Sequence, residues 1–103
     1  MKDDFVWDPE KFGWDDVKAA ENLKDHRVSF PEATTVFSDP RIRGPVFDDT
    51  CSSLDEDRWI VTGWSARARP LTVVFCERSP KIGIISAWPL EGAARRTYHE
   101  DDQ

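Results

Sequence analysis

Three β segments follow one another at close spacing in the second half of the chain, and they constrain the fold more than any other feature. They cover about residues 57–65, 69–78 and 81–88, and Val, Ile, Thr, Trp and Phe dominate them. The connectors "SARA" and "SP" are short enough for hairpins. This spacing predicts an antiparallel meander.

The segment "WDDVKAAENLKDHRV" predicts a first helix ahead of the meander. Asp15 or Asp16 would begin it, because acidic groups interact favourably with the N-terminal end of the helix dipole. Residues three and four apart share a face of a helix. An apolar stripe is formed by Val17, Ala20 and Leu23, and another face by Lys18, Asn22 and His26.

A second helix is predicted to begin in "VSFPEATTVF". Ser29 is the expected N-cap, and Glu32 stands three residues later, as in a capping box. Asp39-Pro40 should end the helix. We also expect an edge strand at about residues 4–7, a short strand around Val46–Phe47 and a last helix at about residues 90–99. Helices before and after an antiparallel sheet indicate an α+β class, and the length fits one domain, residues 1–103.

Charge is unevenly distributed along the chain. The net charge is −6, but residues 58–99 carry seven basic and two acidic side chains. Such a balance permits an anionic ligand at one face. No apolar run is long enough to span a membrane, and "MKDDFVW" lacks the apolar stretch of a signal peptide, so a cytoplasmic protein is expected. Cys51 and Cys76 are expected to be free thiols, with Cys76 inside a strand, and no ligand spacing predicts a metal site.

The basic residues of the second half lie at strand ends. Arg58 opens one strand, Arg67 and Arg69 flank the next hairpin, Arg78 closes a strand and Lys81 opens the last. Antiparallel order puts Arg67 and Arg69 at the opposite end of the meander from Arg78 and Lys81, with Arg58 near the second group. These residues form either a solvated rim or a phosphate-binding rim that stabilises charge on a scissile phosphate.

Four further side chains are candidates for chemistry. Glu77 is the acid within the basic region and could act as a general base. His26 ends a helix, where its charged form would interact favourably with the dipole. Trp64 and Trp88 either pack internally or stack on bases, as aromatic side chains do in RNA sites.

Taken in order, these motifs resemble the BrnT family of type II toxins. The resemblance covers nearly the whole chain. Its landmarks are F-x-W-D at the start, Lys18-x-x-x-Asn22-x-x-x-His26, V-S-F-x-E-A-x-x-V-F-x-D-P, Glu56-x-Arg58, Gly63-x-Ser65, Arg69-x-Leu71, Glu77-Arg78, I-I-S-A and Arg95-Arg96-x-Tyr98.

The resemblance implies a RelE-like α+β fold, with an antiparallel sheet flanked by helices. It implies an endoribonuclease that cleaves mRNA, arrests translation and needs no metal or other cofactor. It also implies a hetero-oligomer with a co-encoded BrnA-like antitoxin, which neutralises the toxin.

Site roles follow from the same resemblance. Phosphate would be bound or stabilised by Arg58, Arg69, Arg78 and Arg96. Glu77, or alternatively His26, would accept the proton of the ribose 2′-hydroxyl, and Tyr98 would support the site. Further RNA contacts would come from Arg67, Lys81, Arg95 and Trp64.

Two positions depart from the family pattern. The family usually has arginines where this chain has Gly83 and Trp88. Loss of a cation that stabilises a transition state costs several kcal/mol. An alternative is therefore a catalytically degenerate BrnT-like protein that acts as a protein-binding or regulatory module. A third interpretation is an unrelated small α+β binding module.

Overall fold

A computed structural model describes residues 11–48, 56–78 and 81–101. The elements in chain order are β1 (Phe12–Gly13), α1 (Asp16–His26), α2 (Phe30–Thr35) continued by a 3-10 turn (Val36–Ser38), β2 (Arg43–Phe47), β3 (Trp59–Trp64), β4 (Pro70–Arg78), β5 (Lys81–Pro89) and α3 (Gly92–Asp101).

The five strands form one sheet in the order β1-β5-β4-β3-β2. The pairs from β2 to β5 are antiparallel, which confirms the meander and the α+β class. β1 instead runs parallel to β5, so the sheet is mixed and the expectation of a purely antiparallel sheet is wrong. Burial of Phe12 explains why β1 joins the sheet, since the Phe12 ring is buried and its centroid lies 5.3 Å from that of Phe37. The strand expected at residues 4–7, and Cys51, lie outside the described residues.

Both predicted helix starts are confirmed. The Asp15 carboxylate accepts hydrogen bonds from the backbone N–H groups of Val17 and Lys18, at 2.7 and 3.2 Å. The Ser29 hydroxyl accepts from the N–H of Glu32 at 3.1 Å. Local capping therefore sets where each helix begins.

The packing of α1 differs from that of an ordinary amphipathic helix, whose apolar stripe faces the core. Val17 is 67% exposed and Leu23 is 51% exposed, whereas Asn22 is buried. The Asn22 side chain accepts from the N–H of Ala87 at 3.1 Å and donates to the carbonyls of Ala87 and Val28, both at 2.9 Å. β1 pairs with β5 only as far as Gly83, so the Asn22 amide takes the place of a neighbouring strand beside Ala87.

The main core lies between one face of the sheet and the α1–α2 layer. It contains Val61, Val73 and Phe75 from the strands and Phe30 and Val36 from the α2 segment. A Cβ atom on Gly63 would come within 2.9 Å of a Val36 methyl group. Glycine at this position therefore lets the α2 segment lie directly on β3. Cys76 is buried in β4 as a free thiol, as predicted.

Helix α3 lies on the opposite face of the sheet. Thr62 alternates with the core residues Val61 and Gly63 along β3, so its side chain points away from the α1–α2 layer. Thr62 lines the same open pocket as Ala93 and Tyr98 of α3. The α1–α2 layer therefore covers one face of the sheet and α3 covers part of the other.

Candidate functional site

The register of the meander separates the predicted site residues into two ends of the sheet. We call the turn 65–69, with residues 88–91 beside it, the hairpin end; residues 56–58, 77–78 and 81 form the far end. Trp64 pairs with Pro70 at the first, and Arg78 pairs with Lys81 at the second. β4 rises about 3.3 Å per residue, so Arg69 and Arg78 are roughly 30 Å apart. One phosphate group cannot contact both.

The far end holds four of the predicted residues. Arg58 is half-buried, and its carbonyl accepts from the N–H of Asp48 at 2.9 Å. Glu77 and Lys81 are exposed. The side chain of Arg78 lies outside the described part of the structure. The prediction that Arg58 lies near Arg78 and Lys81 is confirmed by the pairing of β3 with β4.

At the hairpin end, Arg69 is held in a fixed geometry by Glu32. Its Nε donates to Glu32 Oε2 at 2.8 Å and its Nη2 donates to Glu32 Oε1 at 2.7 Å, a bidentate pair. Nη2 also donates to the carbonyl of Arg27 at 2.7 Å. Glu32 is 4% exposed and Arg69 is 25% exposed. Arg69 thus ties the start of β4 to α2 and to the end of α1, and its guanidinium is only partly open to solvent.

Hydrogen bonding from Arg69 lowers the pKa of Glu32 below its ordinary value of 4.5. Burial acts in the opposite direction, while a hydrogen bond from Ser65 at 2.8 Å and the charge of Arg67 lower the pKa further. The same ion pair raises the pKa of Arg69. Glu32 therefore stays ionised as an anchor for Arg69 rather than serving as a proton carrier.

The connection between the α2 segment and the hairpin has two more hydrogen bonds. The N–H of Trp64 donates to Asp39 Oδ2, and the N–H of Ala66 donates to the Thr35 hydroxyl, both at 2.8 Å. The motif residues of the α2 segment therefore build the frame of the hairpin. Arg67 is exposed in the turn that this frame supports.

The predicted residues of the last helix form a separate group. Tyr98 is buried, its ring centroid is 6.0 Å from that of Trp64, and the Arg43 guanidinium lies 4.2 Å from the Tyr98 ring centroid. Arg95 is half-buried and Arg96 is exposed. Trp64 and Tyr98 thus pack α3 against β2 and β3, which agrees with the alternative that Trp64 packs internally.

A cleft of about 620 Å³ opens at the hairpin end, between the end of α1 and the end of β5. Its size falls within the range of small-ligand sites. The residues lining it are Asp25, His26, Arg27, Arg69, Trp88, Pro89 and Glu91. Of the predicted catalytic residues, Arg69 and the alternative base His26 meet here.

Two further residues of this cleft had no site role implied by the resemblance: Arg27 was not a candidate, and Trp88 was expected either to pack internally or to stack on bases. Arg27 follows the last residue of α1 in a left-handed conformation, φ 60°, and its N–H donates to the carbonyl of Leu23 at 3.0 Å. Trp88 is 37% exposed, and its ring centroid is 6.2 Å from that of His26. The signals available were the His-Arg pair at a helix end and an aromatic residue directly before a proline.

Within residues 11–48, 56–78 and 81–101, no cluster of three His, Cys, Asp or Glu side chains is arranged to hold a metal ion. In the same ranges, none of the helices combines the length and apolarity needed to cross a membrane.

A family model described as "Ribonuclease toxin, BrnT, of type II toxin-antitoxin system" matches residues 14–91, which is more than half of the chain. The chain belongs to the BrnT family. Membership places it among the ribonuclease toxins of type II toxin-antitoxin systems. No curated protein matches the sequence.

The BrnT match runs from the residue before the Asp15 cap to Glu91, directly before α3. All seven residues that line the cleft fall within it. The predicted residues Arg95, Arg96 and Tyr98 lie beyond it. The shared part of the family thus contains the whole hairpin end.

Proposed function

We propose that this BrnT protein cleaves RNA at the cleft of the hairpin end and inhibits translation by doing so. The observation that supports this location best is the meeting of an imidazole and two guanidinium groups, from His26, Arg27 and Arg69, at one opening. RNA is cleaved when the ribose 2′-hydroxyl attacks the neighbouring phosphorus. This reaction requires a group that accepts the hydroxyl proton and cations that stabilise the negative charge on the phosphorane, and these side chains supply both.

His26 is the proton acceptor in this proposal. It is exposed and lines the cleft, and no described residue forms a hydrogen bond with its imidazole. Imidazole is the commonest general base near neutral pH. Glu77, the other candidate for this role, lies at the far end of the sheet.

Arg69 and Arg27 stabilise the phosphate. The Nε and Nη2 groups of Arg69 are used by Glu32 and by the Arg27 carbonyl, and no described residue accepts from Nη1. These three hydrogen bonds restrain the guanidinium at the cleft, and a restrained cation favours charge stabilisation in the transition state. Arg27 is exposed beside it and adds a second positive charge.

The reaction proceeds by internal transesterification. His26 takes the proton of the 2′-hydroxyl, the 2′-oxygen forms a bond to phosphorus, and the bond from phosphorus to the 5′-oxygen breaks. The 5′-oxygen takes a proton from solvent. The products are a 2′,3′-cyclic phosphate and a 5′-hydroxyl end.

A cleavage assay with purified protein and single-stranded RNA in the presence of EDTA tests the proposal. His26→Gln should reduce the cleavage rate by about 100-fold or more, because a general base contributes on that scale. Loss of cleavage in Glu77→Gln with full cleavage in His26→Gln would move the site to the far end. Circular dichroism and urea unfolding of each variant separate loss of chemistry from loss of fold.

A second candidate function is favoured by the composition of the cleft wall. Trp88 stands where the family usually has an arginine, and Asp25 and Glu91 add negative charge to the same opening. A degenerate BrnT protein that only binds a BrnA-like antitoxin would show no cleavage and no growth arrest on expression. It would still form a complex with the antitoxin.

A further inference from the structure

We propose that Trp88 is a stacking platform for one base of single-stranded RNA in the cleft, an assignment that rests on the proposed RNA-binding function. Trp88 is the most exposed tryptophan of the described residues; Trp14, Trp59 and Trp64 are half-buried. Aromatic side chains next to cations are the usual means by which proteins hold unpaired bases.

The contacts of the other described tryptophans are internal. Trp14 meets the ring of Phe30 edge-on at 5.8 Å, and Trp59 meets Phe47 edge-on at 5.3 Å. Trp64 packs against Tyr98. The ring that Trp88 contacts belongs instead to His26, the proposed base.

The backbone around Trp88 is held in place before any ligand arrives. The preceding residue, Ala87, is bound through both its N–H and its carbonyl by Asn22. The residue after Trp88 is Pro89, and the N–H of Leu90 donates to the carbonyl of Pro70 at 3.0 Å. A platform whose backbone is already held loses less conformational entropy when a base stacks on it, which favours binding.

The geometry leaves room for a base. The His26 and Trp88 rings are inclined by 48°, so the imidazole does not cover the indole in a parallel stack. The cleft is large enough for a nucleotide. A base on Trp88 would place its phosphate toward Arg27 and Arg69, and its ribose toward His26. The indole thus orients the nucleotide for the proposed reaction without taking part in the chemistry.

Replacing the usual arginine by tryptophan exchanges a phosphate contact for a base contact. Phosphate contacts weaken steeply with salt because bound counterions are released, whereas stacking depends little on salt. The affinity of this chain for RNA should therefore fall less with salt than that of Trp88→Arg.

The test uses two short oligonucleotides without 2′-hydroxyl groups, which cannot be cleaved. One carries bases and the other has abasic sugars on the same phosphate backbone. Trp88→Leu should weaken binding of the first by about tenfold or more and leave binding of the second unchanged, while Trp88→Phe should retain most of the affinity. Trp59→Leu is the matched control, because it removes a tryptophan at the far end.

Equal affinities of the unsubstituted protein and Trp88→Leu for the base-containing oligonucleotide would overturn the proposal. So would an equal loss for the abasic oligonucleotide, or a loss confined to antitoxin binding. The outcome is separate from that of the cleavage assay. A protein that binds bases through Trp88 but cleaves no RNA retains the platform and loses the catalytic proposal, and cleavage without base binding at Trp88 does the reverse.

Discussion

The hairpin end and the far end of the sheet carry the same kinds of side chains in different surroundings. At the hairpin end, Arg69 is fixed by a buried carboxylate and a backbone carbonyl. At the far end, Glu77 and Lys81 are exposed. Packing by the α2 segment accounts for the difference, because it delivers Glu32 to the first end of the sheet only. Position in a strand does not determine the role of an arginine; the element that packs against it does.

The difference also affects which end can preorganise a ligand. A side chain on an exposed strand end must lose rotamer freedom when it binds, whereas Arg69 and the Trp88 backbone are already held. We therefore expect substitutions in the Arg69–Glu32 pair to change stability and activity together. Substitutions of the exposed residues at the far end should change neither by much.

The largest effect on stability is expected for Asn22→Ala. The substitution leaves the N–H of Ala87 and two carbonyls without the partner that Asn22 provides, so unfolding free energy should fall by about 4 kcal/mol. Urea unfolding measures it. Leu23→Ala is the matched control on the same helix and should change stability by less than about 0.5 kcal/mol, since Leu23 is largely exposed. Similar losses in both variants would contradict the packing of α1.

Glu32→Gln should cost less, about 2 kcal/mol. Removing one partner of a fully buried ion pair costs about 3–5 kcal/mol, and the partial exposure of Arg69 reduces this. Glu77→Gln at the far end should change the free energy of unfolding by less than about 0.5 kcal/mol. The two variants, compared by urea unfolding at neutral pH, test the contrast between the ends directly. Equal changes in unfolding free energy in the two variants would contradict the proposed difference between the two ends.

The smallest effect is the pH dependence of the same pair. Since the pKa of folded Glu32 lies below 4.5, its ionisation adds stability that is complete above 4.5 and is lost as the pH falls through the lowered value. The difference in unfolding free energy between the parent chain and Glu32→Gln should shrink as the pH is lowered past 4.5. A difference that stays constant into acid would show that Glu32 does not titrate in this way.

Much of the local structure was predictable from the residues. The Asp15 and Ser29 caps and the strands of the meander were predicted within two or three residues, because capping and hairpin formation depend on neighbours in sequence. The buried face of α1 was not, since Asn22 is a polar residue and its partner in the sheet, Ala87, is 65 residues away. Hydrophobic periodicity cannot reveal an amide that completes a sheet edge.

The candidate site divides in the same way. The sequence indicated that the basic residues lie at strand ends and that they form two groups at opposite ends of the meander. It could not show that Arg69 meets Glu32, 37 residues earlier, or that Trp64 packs against Tyr98. These contacts depend on which element covers each face, and α3 and the α2 segment cover opposite faces of the sheet.

By itself, the sequence determined the α+β class, the order of the helices and of strands β2 to β5, and the ordered motifs typical of BrnT proteins. Each depends on residues close together in the chain. Only the tertiary structure decided that β1 joins β5 in parallel, that Glu32 orients Arg69, and that Trp88 stands open beside His26. Those features arise where distant segments meet, because burial and hydrogen-bond satisfaction are settled there for all the segments at once.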